Sequence, residues 1–183
     1  MKNFLPFIIL SILLSLIAIS TYKLSNEQNT QESAKEATEE KDYSFHKTKI
    51  KLKNFSLNDL FNPENQLNES KLKKDDYLIL NFFASWCTTC IAEHPILLKL
   101  KEANIAKIYG IAWHDISDNT KFLLKKYGNP YNQVFTDGKS DLGNIVGIKA
   151  IPETMIVKNG VVIYRYKGNL QDFHIDEIAK IIE

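Results

Sequence analysis

The sequence predicts one α/β domain with a mixed sheet, preceded by a membrane-spanning helix and a polar linker. Three observations lead to this organisation. Residues 4–22 are almost entirely apolar. Residues 43–183 contain short apolar runs that alternate with segments of helical spacing. Asn159-Gly160 separates the last two apolar runs, and Asn-Gly is a strong indication of a β-hairpin.

Composition excludes several classes of protein. The 183 residues carry 23 basic and 22 acidic side chains, so the formal net charge is only +1. A nucleic-acid-binding domain needs a strong basic excess, and we therefore expect no nucleic acid partner. Two cysteines are too few for a scaffold stapled by disulfides. The roughly 140 residues that follow the linker are enough for one core but not for two.

The N-terminal segment predicts a signal anchor. As a helix, residues 4–22 would rise about 28 Å, which matches one hydrocarbon core. A cleaved signal peptide needs a shorter apolar stretch, and Ala18-Ile19-Ser20 is a poor cleavage site. Lys2 is the only charged side chain before the span, which favours a cytoplasmic N-terminus and a domain on the far side. We therefore assign residues 1–22 to a transmembrane signal anchor.

The next segment predicts a flexible linker. Residues 23–42 contain no aromatic side chain and, after Leu24, no aliphatic side chain larger than alanine. Such a segment cannot bury enough apolar surface to offset its chain entropy. The folded domain is therefore predicted over residues 43–183.

The first half of this domain predicts two strands and one helix. His46–Leu52 alternates in polarity, which indicates a strand, whereas Asn54–Phe61 has mixed spacing before the turn at Asn62-Pro63. Tyr77–Phe83 is a nearly continuous apolar run, which is typical of a strand buried on both faces. Cys87–Ala103 has apolar residues at intervals of three and four, which predicts a helix.

The second half predicts a further parallel crossover followed by a hairpin. One buried apolar run gives a second central strand, and a helix then ends where a glycine precedes a proline. A brief strand follows, then two strands around Asn159-Gly160 and an amphipathic C-terminal helix. These elements are predicted at Lys107–Trp113, Thr120–Tyr127, Val134–Thr136, Thr154–Lys158, Val161–Tyr166 and Asp172–Ile182.

The residues that carry chemistry are in Trp86-Cys87-Thr88-Thr89-Cys90, at the junction of a buried strand and a helix. A thiol in the first turn of a helix lies near unpaired N–H groups and a partial positive charge, both of which favour its thiolate. Cys87 is less covered by the helix, so we expect its sulfur to be uncovered at the helix tip and to be the nucleophile. Cys90, one turn deeper, would resolve the mixed disulfide. We therefore favour thiol–disulfide chemistry.

Two other uses of the cysteines remain open at this stage. A structural zinc site usually needs four ligands, and no second cysteine pair exists. His94 lies on the same helical stripe as Cys87 and Cys90, so a three-ligand metal site is one alternative. A cysteine hydrolase with Cys87 activated by a histidine is the other, but it would leave Cys90 without a role.

Local sequence alone does not assign a role in the chemistry to Glu93 or Pro152. Glu93 is three residues beyond Cys90, where a carboxylate would disfavour nearby thiolates and could relay a proton. An ordinary exposed glutamate is the simpler interpretation. Only about 5–6% of X–Pro bonds in folded proteins are cis, so local sequence predicts a trans bond between Ile151 and Pro152.

These motifs together resemble the thioredoxin superfamily. Within it, the chain resembles the membrane-anchored thiol:disulfide interchange proteins of cytochrome c maturation, the DsbE/CcmG type, over roughly residues 53–183. The Asn-Pro-Tyr and Pro-Glu-Thr segments narrow the likeness to this branch. The matching segments are Asn81-Phe82-Phe83-Ala84-Ser85-Trp86-Cys87, Cys90-Ile91-Ala92-Glu93-His94, Gly128-Asn129-Pro130-Tyr131, Asp137-Gly138, Pro152-Glu153-Thr154, and Tyr164-Arg165-Tyr166 with Gly168.

The resemblance implies a thioredoxin-like three-layer sandwich and a set of site residues. It implies a redox-active Cys87–Cys90 disulfide, with Glu93 as the acidic residue beside it. It also implies a cis Pro152 next to the two sulfurs and a backbone at Ile151 that pairs with an extended substrate. The implied substrate-binding residues are Trp86, Ile151, Pro152, Glu153 and Thr154.

Three positions depart from the pattern of this branch. Thr88 replaces the proline that usually follows the first cysteine, and the dipeptide between the cysteines tunes the reduction potential. Ala150 replaces a glycine before the proline motif, and Met155 replaces an aromatic residue. The last two positions adjoin the expected substrate groove, so the substrate preference of this branch does not transfer directly to this chain.

The function implied by the resemblance is reductive. Such a protein would be anchored by residues 4–22 in the bacterial inner membrane with its domain in the periplasm. It would keep the haem-binding cysteines of apocytochrome c, or the cysteines of a maturation partner, reduced. An integral-membrane thiol reductant would recharge it, and no cofactor beyond the cysteine pair is implied. The alternatives are a general periplasmic oxidoreductase, a metal-binding chaperone that uses Cys87 and Cys90, and a thiol-independent holdase.

Overall fold

The computed structural model describes residues 15, 17–25, 42–72 and 77–183. Contacts divide the chain into Met1–Asp42 and Tyr43–Glu183. In the first unit, residues 15 and 17–25 are helical with exposed side chains. No helix among the described residues is both long and apolar enough to cross a membrane. Most of the predicted anchor over residues 4–22 and of the predicted linker over residues 23–42 lies outside the described residues.

The second unit is built on a mixed sheet that, within the described residues, has eight strands in the order β1-β8-β7-β4-β5-β6-β2-β3. The central strand β4 pairs parallel with β5 and antiparallel with β7, and β5 pairs parallel with β6. The predicted mixed α/β sheet is therefore confirmed. The strands are β1 His46–Lys51, β2 Ser56–Asp59, β3 Gln66–Asn68, β4 Tyr77–Phe83, β5 Lys107–Trp113, β6 Gln133–Asp137, β7 Glu153–Lys158 and β8 Val161–Lys167.

The helices of this unit connect and cover the strands. The longest begins directly after the Cys87 cap and continues through Pro95. The helices are α1 Glu69–Leu72, α2 Thr88–Ala103, α3 Ser117–Tyr127, α4 Asp141–Val146 and α5 Phe173–Ile182.

Alternation along β4 explains how the sheet forms the middle of three layers. Ile79 and Phe83 pack in one core cluster with the apolar residues of α2, α3 and α5. Leu80 and Phe82 pack in a second cluster with Leu142 of α4. All four β4 side chains are almost fully buried, which is why the sequence of this strand is apolar on both faces. Asn81 is on the same face of β4 as Ile79 and Phe83, because side chains alternate along a strand.

The sequence-based boundaries differ from the structure mainly at the sheet edge. The sequence predicts no strand in Asn54–Phe61, yet this segment contains β2, which pairs with both β3 and β6. Two short helices, α1 and α4, were not predicted. The α3 helix begins at Ser117, three residues before the predicted start, and its first three residues are polar and exposed.

Candidate active site

The two cysteines form a disulfide at the start of α2, with Cα atoms 5.2 Å apart. Cys87 is the N-cap residue and has an extended backbone. The Cys90 N–H donates to Cys87 Sγ at 3.2 Å, and the Thr89 hydroxyl lies 3.3 Å from the same sulfur. Both groups can donate to a thiolate at Cys87. They stabilise negative charge on this sulfur once the disulfide is reduced.

The exposure of Cys87 differs from the prediction. The sequence predicts a sulfur uncovered at the helix tip, yet Cys87 is 6% exposed and Cys90 is 4% exposed. The Ile151 carbonyl oxygen lies 3.7 Å from Cys87 Sγ, and Ile151 packs against the core cluster that contains both cysteines. Contact with this neighbouring loop is the physical reason for the low exposure. A partner must therefore approach Cys87 closely, beside Ile151.

The loop that covers Cys87 contains a cis peptide bond between Ile151 and Pro152. The trans bond predicted from local sequence is wrong, and the cis bond implied by the resemblance is confirmed. Pro152 is buried, and its carbonyl accepts from the Gly168 N–H at 3.0 Å. Ile151 keeps part of its surface exposed. The structure therefore brings Cys87, Cys90, Ile151 and Pro152 together.

Glu153 and Thr154, predicted to bind substrate, turn their side chains into the protein. Glu153 is 1% exposed and its carboxylate pairs with Arg165, whose Nη2 lies 2.8 Å from Glu153 Oε2. Arg165 also donates to the carbonyl of Val146 at the end of α4. Thr154 is fully buried and accepts from Asn81. These two side chains therefore support the loop from inside, because neither reaches the surface that a substrate would contact.

Glu93 is buried, so the interpretation of an ordinary exposed glutamate is wrong. Its exposed fraction is 0%, and it accepts from Asn81 Nδ2 at 2.9 Å and from the Leu170 N–H at 2.8 Å. Burial disfavours the charged carboxylate and raises the pKa of Glu93 to about 7, although both hydrogen bonds act in the opposite direction. Glu93 can therefore gain or lose a proton near neutral pH, one helical turn after Cys90.

Asn81 connects Glu93 to a buried tyrosine that the sequence analysis used only as part of a motif. The Tyr131 hydroxyl donates to Asn81 Oδ1 at 2.8 Å, and Asn81 Nδ2 also donates to Thr154 Oγ1 at 3.1 Å. Burial, and then the charge of Glu93, raises the pKa of Tyr131 well above its usual range. Gly110 leaves room for the Tyr131 ring, since a Cβ at this position would lie 2.8 Å from that ring.

Trp86 is 58% exposed and is fixed by polar contacts from the neighbouring loop. Its indole N–H donates to the His114 carbonyl at 3.1 Å. Beside it, the Ser85 N–H and hydroxyl donate to the Asp115 carboxylate at 2.6 and 2.7 Å. The sequence analysis missed Asp115. Its position could have indicated this contact, because the carboxyl ends of the parallel strands β4 and β5 lie at the same edge of the sheet.

The three-ligand metal site considered above is not formed. His94 places its Nε2 2.8 Å from the Gly128 carbonyl oxygen, while Cys87 and Cys90 are bonded to each other. Within the described ranges, no group of three His, Cys, Asp or Glu side chains is arranged to hold a metal ion.

A family model described as Redoxin matches residues 47–182, most of the second unit. The chain belongs to the Redoxin family. It is 37% identical over 118 residues to the thiol:disulfide interchange protein DsbE of Haemophilus influenzae, a match that covers 64% of each chain. It is 34% identical over 133 residues to the probable thiol:disulfide interchange protein DsbE-2 of Pasteurella multocida, which covers 69% of each chain. The match with the Haemophilus protein, at 64%, spans slightly less than two thirds of that relative's own length.

Solved structures show the same fold. The thioredoxin domain of a thiol-disulfide oxidoreductase from Bacteroides vulgatus superposes with a TM-score of 0.60 at 19% sequence identity, covering 74% of this chain and 99% of that chain. At this identity the likeness concerns the fold alone, and it supports the predicted thioredoxin-like architecture. The predicted likeness to the DsbE/CcmG type is supported by the sequence relatives.

Proposed function

We propose that this protein is a periplasmic thiol:disulfide oxidoreductase in which Cys87 and Cys90 carry the electrons. The observation that carries the proposal is the Cys87–Cys90 disulfide at the first turn of α2, beside the loop of Ile151 and Pro152. The sequence relatives add support, because they bear the name thiol:disulfide interchange protein.

The reaction proceeds in two exchange steps. The reduced Cys87 thiolate attacks one sulfur of a partner disulfide, so the partner S–S bond breaks, its other sulfur leaves as a thiolate, and a mixed disulfide forms. The Cys90 thiolate then attacks Cys87 Sγ. The second partner sulfur leaves, the Cys87–Cys90 disulfide forms, and two electrons have passed to the partner.

We propose that Glu93 handles the proton of the second step. In the carboxylate form it can accept the proton of Cys90 as that thiol becomes the attacking thiolate. Its buried position and its pKa of about 7 support this role, because the group is then partly ionised at neutral pH. A carboxylate near the cysteine pair also disfavours thiolates, which makes the pair more reducing.

We further propose that the physiological direction is reductive. The substrate would be the haem-binding cysteine pair of an apocytochrome c, or the cysteines of a protein that handles it during maturation. Residues 4–22 would anchor the chain once in the bacterial inner membrane with the domain in the periplasm, and an integral-membrane thiol reductant would return electrons to the pair. The resemblance of the sequence to the DsbE/CcmG type supports each of these points.

Trapping tests this proposal. In the full-length Cys90→Ser variant the mixed disulfide on Cys87 cannot be resolved, so it should accumulate and be identifiable by mass spectrometry. The Cys87→Ser, Cys90→Ser variant is the control and should trap nothing. A c-type apocytochrome or its maturation partner on Cys87 supports the specific function. Many unrelated secreted proteins would instead indicate a general oxidoreductase, and the absence of any adduct would contradict the proposed chemistry.

A further inference from the structure

An apolar surface begins at Trp86, the residue that precedes the reactive cysteine. It consists of Trp86, Phe122 and Tyr127, which are 58%, 67% and 42% exposed. These three side chains line a cavity of about 340 Å³ between the start of α2 and the outer face of α3, together with Ile91 and Lys126. We name it the Trp86–Phe122 surface. Large apolar side chains exposed together in this way are typical of an interaction site.

The part of this surface closest to Cys87 is held rigidly. The Trp86 indole donates to the His114 carbonyl, and Ser85, which also lines the cavity, is bound twice by Asp115. Asp115 in addition accepts from the Thr120 hydroxyl at 2.7 Å, which ties the same loop to α3. A surface that is already ordered loses little conformational entropy when a partner binds.

The chemistry of disulfide exchange brings a partner onto this surface. A mixed disulfide joins the partner cysteine to Cys87, whose backbone is bonded to that of Trp86. Because Cys87 is only 6% exposed, a partner joined to its sulfur must also contact the residues around it. The Ile151 carbonyl oxygen lies 3.7 Å from that sulfur, and the adjacent Trp86 begins the Trp86–Phe122 surface.

We propose that the Trp86–Phe122 surface binds a large apolar side chain of the same protein whose disulfide reacts with Cys87. This inference rests on the proposed function and adds to it a determinant of substrate choice. The charge around the cavity defines the occupant further. Lys126 lines the cavity and extends its Nζ to 4.8 Å from the Tyr127 ring, and Lys125 next to it is also exposed. The preferred partner segment therefore combines an aromatic or large aliphatic side chain with an acidic neighbour.

Paired peptides test this proposal with the reduced full-length chain. Both peptides contain one intramolecular Cys-X-X-Cys disulfide, flanked on each side by phenylalanine and glutamate in the first peptide and by serine and glutamate in the second. Burial of one aromatic side chain predicts about a tenfold faster reduction of the phenylalanine peptide by the unmodified chain. In Phe122→Ser most of this preference should be lost. The ratio of the two rates is the readout, so a general change in thiol reactivity cancels.

The matched control is Phe61→Ser. Phe61 is 57% exposed and follows β2, which pairs antiparallel with β6 and therefore leads away from the edge of the sheet that carries the cysteines. This variant should keep the full preference. The proposal is overturned if the unmodified chain does not prefer the phenylalanine peptide, or if Phe122→Ser keeps the preference. Failure of the proposed function itself is a separate result, in which the reduced chain reacts with neither peptide nor glutathione disulfide.

Discussion

Glu93 and Glu153 are both carboxylates with almost no solvent exposure, and each follows a reactive element of the site. Glu93 comes one turn after Cys90, and Glu153 comes directly after Pro152. Their partners differ. Glu153 forms a buried ion pair with Arg165, whereas the donors to Glu93 in the described part of the chain are neutral, an amide and a backbone N–H.

This difference supports different tasks for the two carboxylates. A buried carboxylate with a cationic partner forms an ion pair, and removal of the cation leaves an unpaired group in the interior. A carboxylate that is buried without a cation holds its proton more tightly, and the pKa of Glu93 accordingly rises to about 7. Burial alone therefore does not identify the proton-handling group. Within the described residues, the hydrogen-bond donors to Glu93 are neutral, which supports the proposal that Glu93 rather than Glu153 handles the proton.

The largest expected effect is the loss of stability when the ion pair between Glu153 and Arg165 is broken. Arg165→Met leaves the Glu153 charge buried without its partner, so we expect the free energy of unfolding to fall by about 3–5 kcal/mol. Urea unfolding of the oxidised full-length chain measures this loss. The Glu153→Gln, Arg165→Met variant also lacks the hydrogen bonds of Arg165 to Val146 and Gly147 but no longer carries a buried charge. This double variant should regain part of the stability lost in Arg165→Met. Equal losses in the two variants would show that the unpaired Glu153 charge is not what destabilises Arg165→Met.

The second effect is the pH dependence of stability that Glu93 contributes. Folded Glu93 holds its proton up to a pKa of about 7, whereas the unfolded side chain releases it near 4.5. The folded state therefore binds more protons between these values, and its stability falls as the pH rises through this window. The expected loss is about 3 kcal/mol.

Glu93→Gln should remove this dependence. The difference in unfolding free energy between the variant and the unmodified chain, measured in urea at pH 5 and at pH 8, isolates the Glu93 contribution because other groups cancel. The variant should gain stability relative to the unmodified chain at the higher pH. A difference that stays constant would mean that Glu93 is not held at a raised pKa.

A third effect concerns the rate at which Cys90 resolves a mixed disulfide between Cys87 and glutathione. If the Glu93 carboxylate accepts the Cys90 proton, this rate falls as the pH drops through about 7, where Glu93 becomes protonated. Glu93→Gln should be slower by about a hundredfold at pH 8 and should lack that inflection. Stopped-flow measurement gives both quantities. Glu102→Gln, an exposed glutamate on the same helix, is the control and should behave as the unmodified chain does.

The smallest effect concerns the hydrogen bond that Tyr131 donates to Asn81. Tyr131→Phe removes the donor to Asn81 Oδ1 and leaves a buried acceptor unsatisfied, at a cost of about 1–2 kcal/mol in unfolding free energy. Tyr127→Phe removes the hydroxyl of a tyrosine that is 42% exposed, and its stability should change by less than about 0.5 kcal/mol. Equal effects of the two substitutions would show that the Tyr131 hydrogen bond contributes nothing.

The sequence predicted the elements whose pattern is local. The apolar runs of β4 and β5, the turn at Asn159-Gly160 and the amphipathic α5 helix each show their structure within a dozen residues. The β2 strand does not, because its place in the sheet depends on pairing with β6, far along the chain. The short α4 helix is likewise set by distant packing, since Gly143 lies against Trp113 too closely for a side chain.

The same distinction applies to the site. The spacing of Cys87 and Cys90 is enough to predict a disulfide-forming pair, and the structure contains that bond. The environment of Glu93 is not local, because its two donors come from Asn81 and from Leu170, which is 77 residues away. No local pattern distinguishes such a glutamate from one on a solvated helix face. The likeness to a known family indicated its importance, and the contacts explain it physically.

The relative reactivity of the two thiols tests most directly whether Cys87 is the activated nucleophile. The reduced full-length chain is treated with a limiting amount of iodoacetamide, and the labelled cysteine is identified by peptide mass mapping. Cys87 should be alkylated much faster than Cys90 and faster than Cys87 in the urea-unfolded chain. Preferential labelling of Cys90, or a Cys87 that reacts no faster in the folded than in the unfolded chain, would rule out Cys87 as the activated nucleophile.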